Sequence, residues 1–261
     1  MKYGFIGCGN MGGAIAKALS ATTKDILIAD PNPIATNFAA EIGCKYGSNE
    51  DVATQCDRII LAVKPQMMAS VLAPIAQILR VKKPVIITIA AGLEISAIQE
   101  MIGASLPTIR LMPNTPVAIG KGMIVYCSSE NVSEQILTDF LNDMRFAGRM
   151  DALPEKLIDA ASALSGSGPA YLYMFLEAMA DGAVSCGLPR QKAMEYAAAT
   201  MEGAACMYLS SGKHPGELKD AVCSPAGSTI VGVQQLEEHG FRGGVIDCII
   251  AAYHKNKELG K

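Results

Sequence analysis

The first thirty residues constrain the fold more than any other stretch. Lys2-Tyr3-Gly4-Phe5-Ile6 reads as a short strand and runs directly into Gly7-Cys8-Gly9-Asn10-Met11-Gly12, a G-x-G-x-x-G. The helical pattern MGGAIAKALS follows, and the next apolar run, DILIA, ends at Asp30, 18 residues beyond Gly12. The motif alone is weak. Strand, glycine turn, helix, strand and a terminal acid, in that order, are the context of a dinucleotide-binding βαβ unit. In that reading Gly7 makes the tight turn, Gly9 lets the backbone approach a pyrophosphate, and Gly12 lets the helix pack on the sheet. The phosphates then lie at the helix start formed by Asn10 and Met11, where unpaired N–H groups and the helix dipole favour anions.

The same alternation continues to about residue 150. RIILAV (residues 58–63) and PVIITIA (84–90) are unbroken apolar runs rich in β-branched residues, the pattern of buried parallel strands. TIRLMP and GMIVYC are weaker strand signals, and helices are expected over residues 67–79 and 133–144. Alternating strands and helices predict an α/β, Rossmann-type doubly wound parallel sheet. After Asp151 the texture changes. Residues 157–212 carry only seven charges (Asp159, Glu177, Asp181, Arg190, Lys192, Glu195 and Glu202) and no strand signal. Breaks at Gly187-Leu188-Pro189 and at Gly212-Lys213-His214-Pro215 divide this region into helices, with the prolines suited to first-turn positions. The expected organisation is a dinucleotide-binding domain over residues 1–151 and an all-α domain over residues 152–261. A helical domain with so little charge has apolar faces to cover, so an intimate homodimer is expected. A monomer whose second domain folds against the first is the alternative.

Composition narrows the partners. Lys and Arg number 22 against 25 Asp and Glu, a net charge of −3 with no basic cluster, which speaks against nucleic acid and anionic membranes. No uninterrupted apolar run of 18 residues occurs, and the N-terminus lacks the charged lead and apolar core of a signal peptide, so a cytoplasmic protein is expected. The eight cysteines form no C-x-x-C pair and mostly lie in apolar segments. They are expected to be reduced core residues.

Several segments fall where parallel strands should end, the ligand-binding edge of a doubly wound sheet. They are Ala62-Val63-Lys64-Pro65, Ala90-Ala91-Gly92 and Met112-Pro113-Asn114-Thr115-Pro116. Each also suits a structural turn. Asp30 either accepts a ribose 2′-hydroxyl, which favours NADH over NADPH, or starts a turn with Pro31. None of His214, His239 and His254 is placed like a proton donor: the first two sit at helix-boundary signals and the third on a Lys-rich helix. Attention therefore passes to Ser224-Pro225-Ala226-Gly227-Ser228-Thr229, between two helical patterns. Ser228 or Thr229 is expected to cap the second helix, and Gly227 permits a tight path. This is either an anion site suited to a carboxylate or a plain helix–helix connection.

At this point the residues resemble a known family. PGELKDAVCSPAGSTIVGVQQLE (residues 215–237) is similar to the signature of Δ1-pyrroline-5-carboxylate reductase, and ALSGSGPAYLYMFLEAMADGAVSCGLPR (163–190) to the start of its dimerisation domain. GFIGCGNMGGAIAKAL, AVKPQ, AAG and MPNTP match its nucleotide-domain motifs in order, so the resemblance spans essentially the whole chain. It implies a Rossmann domain followed by a helical dimerisation domain, with dimers that in many members assemble into a ring of five. It implies reduction of a cyclic imine to L-proline, the last step of proline biosynthesis, with NADPH or NADH as hydride donor. By position, Ser224, Gly227, Ser228 and Thr229 would hold the substrate carboxylate through backbone N–H groups, and the Thr229 hydroxyl would serve the ring nitrogen as the catalytic contact. Asn49 would touch the adenosine ribose, Ala62, Lys64 and Pro65 would border the nicotinamide ribose with Ala90 close by, and Glu155 would lie near the substrate. No metal is implied.

The chain departs from the family pattern at two places. The loop commonly reads Ser-Pro-Gly-Gly, and here Ala226 replaces the first glycine; if φ is positive there, alanine costs roughly 1 kcal/mol. Asp30 puts the NADPH preference of many members in doubt. Two rival readings remain at this level: a reductase of another cyclic imine or an oxo acid, and a non-catalytic dinucleotide-sensing module.

Overall fold

The computed structural model describes residues 2–259. β1 (Tyr3–Ile6) leads through the glycine turn into α1 (Asn10–Ser20), and β2 (Ile26–Ala29) returns parallel to β1. There follow α2 (Ile34–Glu41), β3 (Lys45–Tyr46), α3 (Asn49–Gln55) and β4 (Arg58–Leu61). Then come α4 (Met68–Leu72), α5 (Ala76–Lys82), β5 (Val85–Thr88), α6 (Ile95–Ile102) and β6 (Thr108–Met112). β7 (Gly122–Ser128), α7 (Glu134–Asp143) and β8 (Gly148–Ala152) complete an eight-stranded sheet of order β3-β2-β1-β4-β5-β6-β7-β8.

The continuous apolar strands work because both sheet faces are covered. On one face Tyr3, Phe5, Ile26, Ile28, Ile60 and Ile87 pack with Ile15 and Leu19 of α1 and Phe140 of α7. On the other, Ile6, Leu27, Ile59, Leu61 and Ile86 pack with Val52 of α3, Leu72 of α4, Leu79 of α5 and Ile98 of α6. Side chains alternate between faces along each strand. Each fully buried aliphatic side chain contributes about 1.5–3 kcal/mol.

Three details differ from the sequence reading. The sheet is not wholly parallel: β7 runs antiparallel to β6, and β8 lies parallel to β7. The connection from Met112 to Gly122 is too short to carry a parallel crossover, which takes a dozen or more residues. The helix expected over residues 67–79 is divided into α4 and α5 by the segment holding Pro74, which offers no N–H to an unbroken helix. The cysteines are all free, but only Cys56 and Cys127 are buried, while Cys186 and Cys206 are exposed in the helical region.

The remaining helices are α8 (Glu155–Ser165), α9 (Gly168–Ser185), α10 (Arg190–Ser211), α11 (Pro215–Val222), α12 (Ser228–Glu238) and α13 (Phe241–Leu259). The chain divides into two compact units, one holding the described residues through Ser167 with those from Ala251, the other Gly168–Ile250. The change of texture at Asp151 therefore precedes the compact boundary by one helix. The reason is Arg110 on β6. Its side chain is 1% exposed, and its guanidinium meets Asp159 Oδ1 at 2.8 Å and Glu155 Oε1 at 3.3 Å, both on α8. Lys257 reaches Asp159 Oδ2 at 3.3 Å, which brings the end of α13 into the same unit. Ile158, between the two acids, packs on Met112, Val125 and Cys127. In the second unit α9 and α10 pack together, yet Leu172, Tyr173, Met174, Met207, Tyr208 and Leu209 are exposed. Among the described residues no helix is long and apolar enough to cross a membrane.

Removing one partner from a buried charge cluster leaves the other uncompensated. Asp159→Ala is expected to destabilise the protein by about 3–5 kcal/mol in denaturant unfolding. A loss below about 1 kcal/mol would show that Arg110 does not depend on it.

Candidate functional site

The first loop is shaped by what a side chain would strike. Gly7 has φ +95°, and a Cβ there would lie 2.7 Å from the Ala62 carbonyl oxygen. At Gly12 a Cβ would lie 2.6 Å from the Gly7 carbonyl oxygen and 2.9 Å from Ala62 Cβ. Gly9 is the opposite case, with nothing within 4 Å of an added Cβ. Two glycines thus close the loop against the end of β4, and the third leaves a bare backbone cradle. The loop is tied on both sides: Gly7 N–H donates to Ala29 O at 2.8 Å, and Ala62 N–H donates to Ile6 O at 2.8 Å. Gly9 is also the N-cap of α1, extended at φ −68° and ψ −165°, and provides no capping side chain. The first-turn N–H groups of an α-helix have no intrahelical acceptor, and here the dipole directs positive potential at the cradle.

A cavity of about 490 Å³ opens beside this loop, bounded by Gly7, Asp30, Tyr46, Asn49, Val63 and Met67 among others. Its walls are the C-terminal ends of β1 to β4, and its size suits a small-molecule site. Asp30 also borders a second cavity of about 450 Å³, with Cys8, Gly9, Asn10, Lys17 and Asn32. Asp30 starts the turn, one of the two roles that the sequence left open, and also ties down the glycine loop. Its Oδ1 accepts Asn32 N–H at 2.8 Å and so starts the turn, while its Oδ2 accepts Cys8 N–H at 2.6 Å and so holds the glycine loop. A carboxylate has about four acceptor positions, so both oxygens keep capacity for a ribose hydroxyl. Burial, with the Asp30 charge second, pushes the Cys8 thiol up to about 11, which leaves it a neutral wall of the loop.

Asn49 opens α3 behind a closed capping box. Ser48 Oγ accepts Asp51 N–H at 3.1 Å, and the Asp51 carboxylate accepts Ser48 N–H at 2.9 Å. The Ser48 hydroxyl and amide hold the Asp51 carboxyl below its usual range. Asn49 is thereby fixed on the cavity wall. Ala62 forms the floor beneath Gly7 and Gly12. Lys64 is exposed and precedes a 3-10 turn, Pro65–Met67, so Val63 and Met67 line the cavity while Lys64 and Pro65 lie at the adjoining turn.

Two expected site residues have structural roles. Ala90 is 2% exposed and packed in the core beside Ile86 and Ile98, with its N–H turned back to Thr88 Oγ1 at 3.3 Å, so its side chain is not available to a ligand. Glu155 Oε1 accepts Ile95 N–H at 2.8 Å and pairs with Arg110, so its carboxylate also joins the start of α6 to α8. Asn114 of the MPNTP segment is likewise structural: its amide donates to Ser165 O and its carbonyl accepts Met123 N–H. Tyr46 and Met67 on the cavity wall were not singled out by the sequence, whereas Val63 lies in the Ala62–Pro65 segment that was. For the α3 side of the wall the Ser48-x-x-Asp51 box is the local signal.

The second loop repeats the construction of the first. Gly227 is the N-cap of α12, extended at φ −77° and ψ 165°, with no capping side chain. Ser228 and Thr229 are the first two helical residues, so the expectation that one of them caps α12 is corrected. A Cβ on Gly227 would lie 2.3 Å from Ser224 Oγ, so a side chain there would have to displace the Ser224 hydroxyl. Thr229 is exposed. By contrast α3, α7 and α11 are closed by side chains of Ser48, Ser133 and His214. His239 is held by the Gln235 carbonyl oxygen at the end of α12.

Comparison with known proteins follows this geometry. Residues 155–259 match the family model described as pyrroline-5-carboxylate reductase dimerisation, and residues 2–92 match that of NADP oxidoreductase, coenzyme F420-dependent. Pyrroline-5-carboxylate reductase of Escherichia coli (strain K12) is 40% identical over 269 aligned residues that cover 100% of this chain and 98% of that protein. The Pisum sativum pyrroline-5-carboxylate reductase is 39% identical, with 98% and 95% covered. The crystal structure of Plasmodium falciparum pyrroline carboxylate reductase with NADP bound matches with a TM-score of 0.92 at 34% identity, covering 100% and 98% of the two chains.

The three glycines of the first loop can be told apart. Gly9→Ala meets no protein atom, so it should leave stability within about 0.5 kcal/mol while weakening dinucleotide binding at least about tenfold. Gly12→Ala overpacks and should lower stability by about 1–3 kcal/mol. Titration of cofactor fluorescence and thermal unfolding read the two effects. Full cofactor affinity in Gly9→Ala would remove that cradle from the site.

Proposed function

The chain belongs to the pyrroline-5-carboxylate reductase family, and from that premise we propose how its residues divide the chemistry. Its activity is the NAD(P)H-dependent reduction of the cyclic imine L-1-pyrroline-5-carboxylate to L-proline. The bare cradle at Gly9 and the cavity beside Asp30 and Asn49 fit a dinucleotide. The nicotinamide supplies the hydride when bound. Gly7, Gly9, Asn10, Met11 and Gly12 hold its pyrophosphate, Asn49 and Asp30 its adenosine ribose, and the Ala62, Lys64 and Pro65 segment borders its other half.

The observation that carries the division of labour is the second uncapped, glycine-started helix. The N–H groups of Gly227, Ser228 and Thr229 bind the substrate carboxylate without a fixed basic side chain, helped by the dipole of α12. Ser224 sets the loop against Gly227. The Thr229 hydroxyl hydrogen-bonds the ring nitrogen. A protonated cyclic imine is already electrophilic and arrives with its proton, which suits a chain whose three histidines are not placed for proton transfer. The residues therefore act by positioning, which can lower a barrier by several kcal/mol, up to about 7–11.

We assign cofactor binding to residues 1–151 and dimerisation and substrate binding to residues 152–261. The chain carries the family's dimerisation region, and the exposed apolar side chains of α9 and α10 suit burial in a homodimer. A pentamer of dimers is the assembly that the resemblance adds. Free thiols throughout favour the cytoplasm. The acidic Asp30, with no Arg or Lys lining its larger cavity, favours NADH over NADPH.

Thr229→Ala is expected to lower kcat/KM for the imine at least about tenfold, roughly 1.4 kcal/mol of transition-state stabilisation. A neutral result would remove Thr229 from the mechanism, and folded parent protein that oxidises neither cofactor in the presence of the imine would sink the reading. Asp30→Ser should raise the NADPH-to-NADH efficiency ratio by about tenfold, the effect of about 1.4 kcal/mol. An unchanged ratio would show that Asp30 serves the loop alone.

A further inference from the structure

Among the described residues two non-glycine positions have a left-handed backbone, Lys83 and Ala226. Lys83 follows α5 as its C-cap, where such a residue is ordinary. Ala226, at φ +59°, is the third residue of the turn Ser224-Pro225-Ala226-Gly227, which Gly227 N–H closes by donating to Ser224 O at 3.0 Å. A positive φ at the third position is the type II form and favours glycine. A type I turn has a negative φ there, accepts alanine readily, and is closed by the same hydrogen bond. That bond therefore does not choose between the forms. Within the single chain Ser224, Pro225 and Ala226 are exposed, so none of the chain's own packing contacts chooses between the forms. The residue type favours one form and the structure holds the other. Passing between them flips the Pro225–Ala226 peptide and exchanges the Pro225 carbonyl for the Ala226 N–H on a given face of the loop. Only the N–H suits an anion.

We propose that Ala226 makes this turn a two-state element whose left-handed form is the one that receives the substrate carboxylate. Alanine keeps part of the free population in the other form, and the carboxylate recruits the left-handed one, so apparent affinity is reduced by the fraction that is competent. Ala226 is thus a positioning residue that sets the substrate KM. This rests on the assignment of residues 224–229 to the substrate.

The test is steady-state kinetics of the full-length protein with pyrroline-5-carboxylate. Removing the left-handed penalty in Ala226→Gly should lower the substrate KM about fivefold, with kcat and the cofactor KM unchanged. Ala226→Asn, which tolerates the left-handed region, should shift KM the same way by less, and Ala226→Val should raise it. An unchanged substrate KM in Ala226→Gly overturns the proposal. So does a higher melting temperature with unchanged KM, the mark of a turn already locked in the free protein. Absence of turnover in the parent protein would instead overturn the substrate assignment itself, before any variant is compared.

Discussion

The α/β unit depends on a close approach of backbone to backbone. The loop after β1 lies so near the end of β4 that neither Gly7 nor Gly12 has room for a methyl group, and Ala62 supplies the surface they press on. β1 is the strand around which the sheet is wound, paired with β2 on one side and β4 on the other. Because the loop is seated this deeply, α1 starts directly over the strand ends, and its uncapped N-terminus borders the cavity that Asp30 shares with Lys17 and Asn32. A larger residue at either glycine would push α1 away and remove the cradle. Asp30 reinforces the seat from the neighbouring strand by taking the Cys8 N–H, so an acid just past β2 helps to shape the loop.

A second constraint determines where the α/β unit ends. Arg110 points into a buried space on β6 and is neutralised by two acids of α8. Burial of a guanidinium is costly unless it is paired, so α8 and Lys257 near the chain's end are drawn to the sheet. Glu155 belongs to this cluster. A sequence motif places an acid at that position, and the tertiary contacts give it an anchoring role between α6 and α8.

The two glycine loops use one device. Each begins a helix with an extended glycine and no capping side chain, which leaves first-turn N–H groups uncapped by the chain's own side chains. They differ in how firmly the backbone is held. Gly7, where φ is positive, is a glycine wedged against β4. Ala226, where φ is also positive, is an exposed alanine in a turn closed by one hydrogen bond. The first loop is consequently rigid by packing, and in the role proposed for it the second depends on a local conformational balance.

The sequence by itself determined the alternation of strands and helices, the buried parallel strands and the nucleotide loop, and its resemblance marked residues 224–229 for a substrate. These are written in local terms: apolar runs, glycine spacing, and a signature read residue by residue. It left the direction of β7 and the whole of the polar edge strand β8 unseen, because strand direction follows from connection length and β8 has no apolar run. It placed Ala90 and Glu155 at the site; packing put the first in the core, and a buried arginine pairs with the second. That Gly227, and neither Ser228 nor Thr229, caps α12, and the sign of φ at Ala226, were likewise decided only in three dimensions. Residue type gives the cost of each conformation, and the surrounding contacts decide which conformation is occupied.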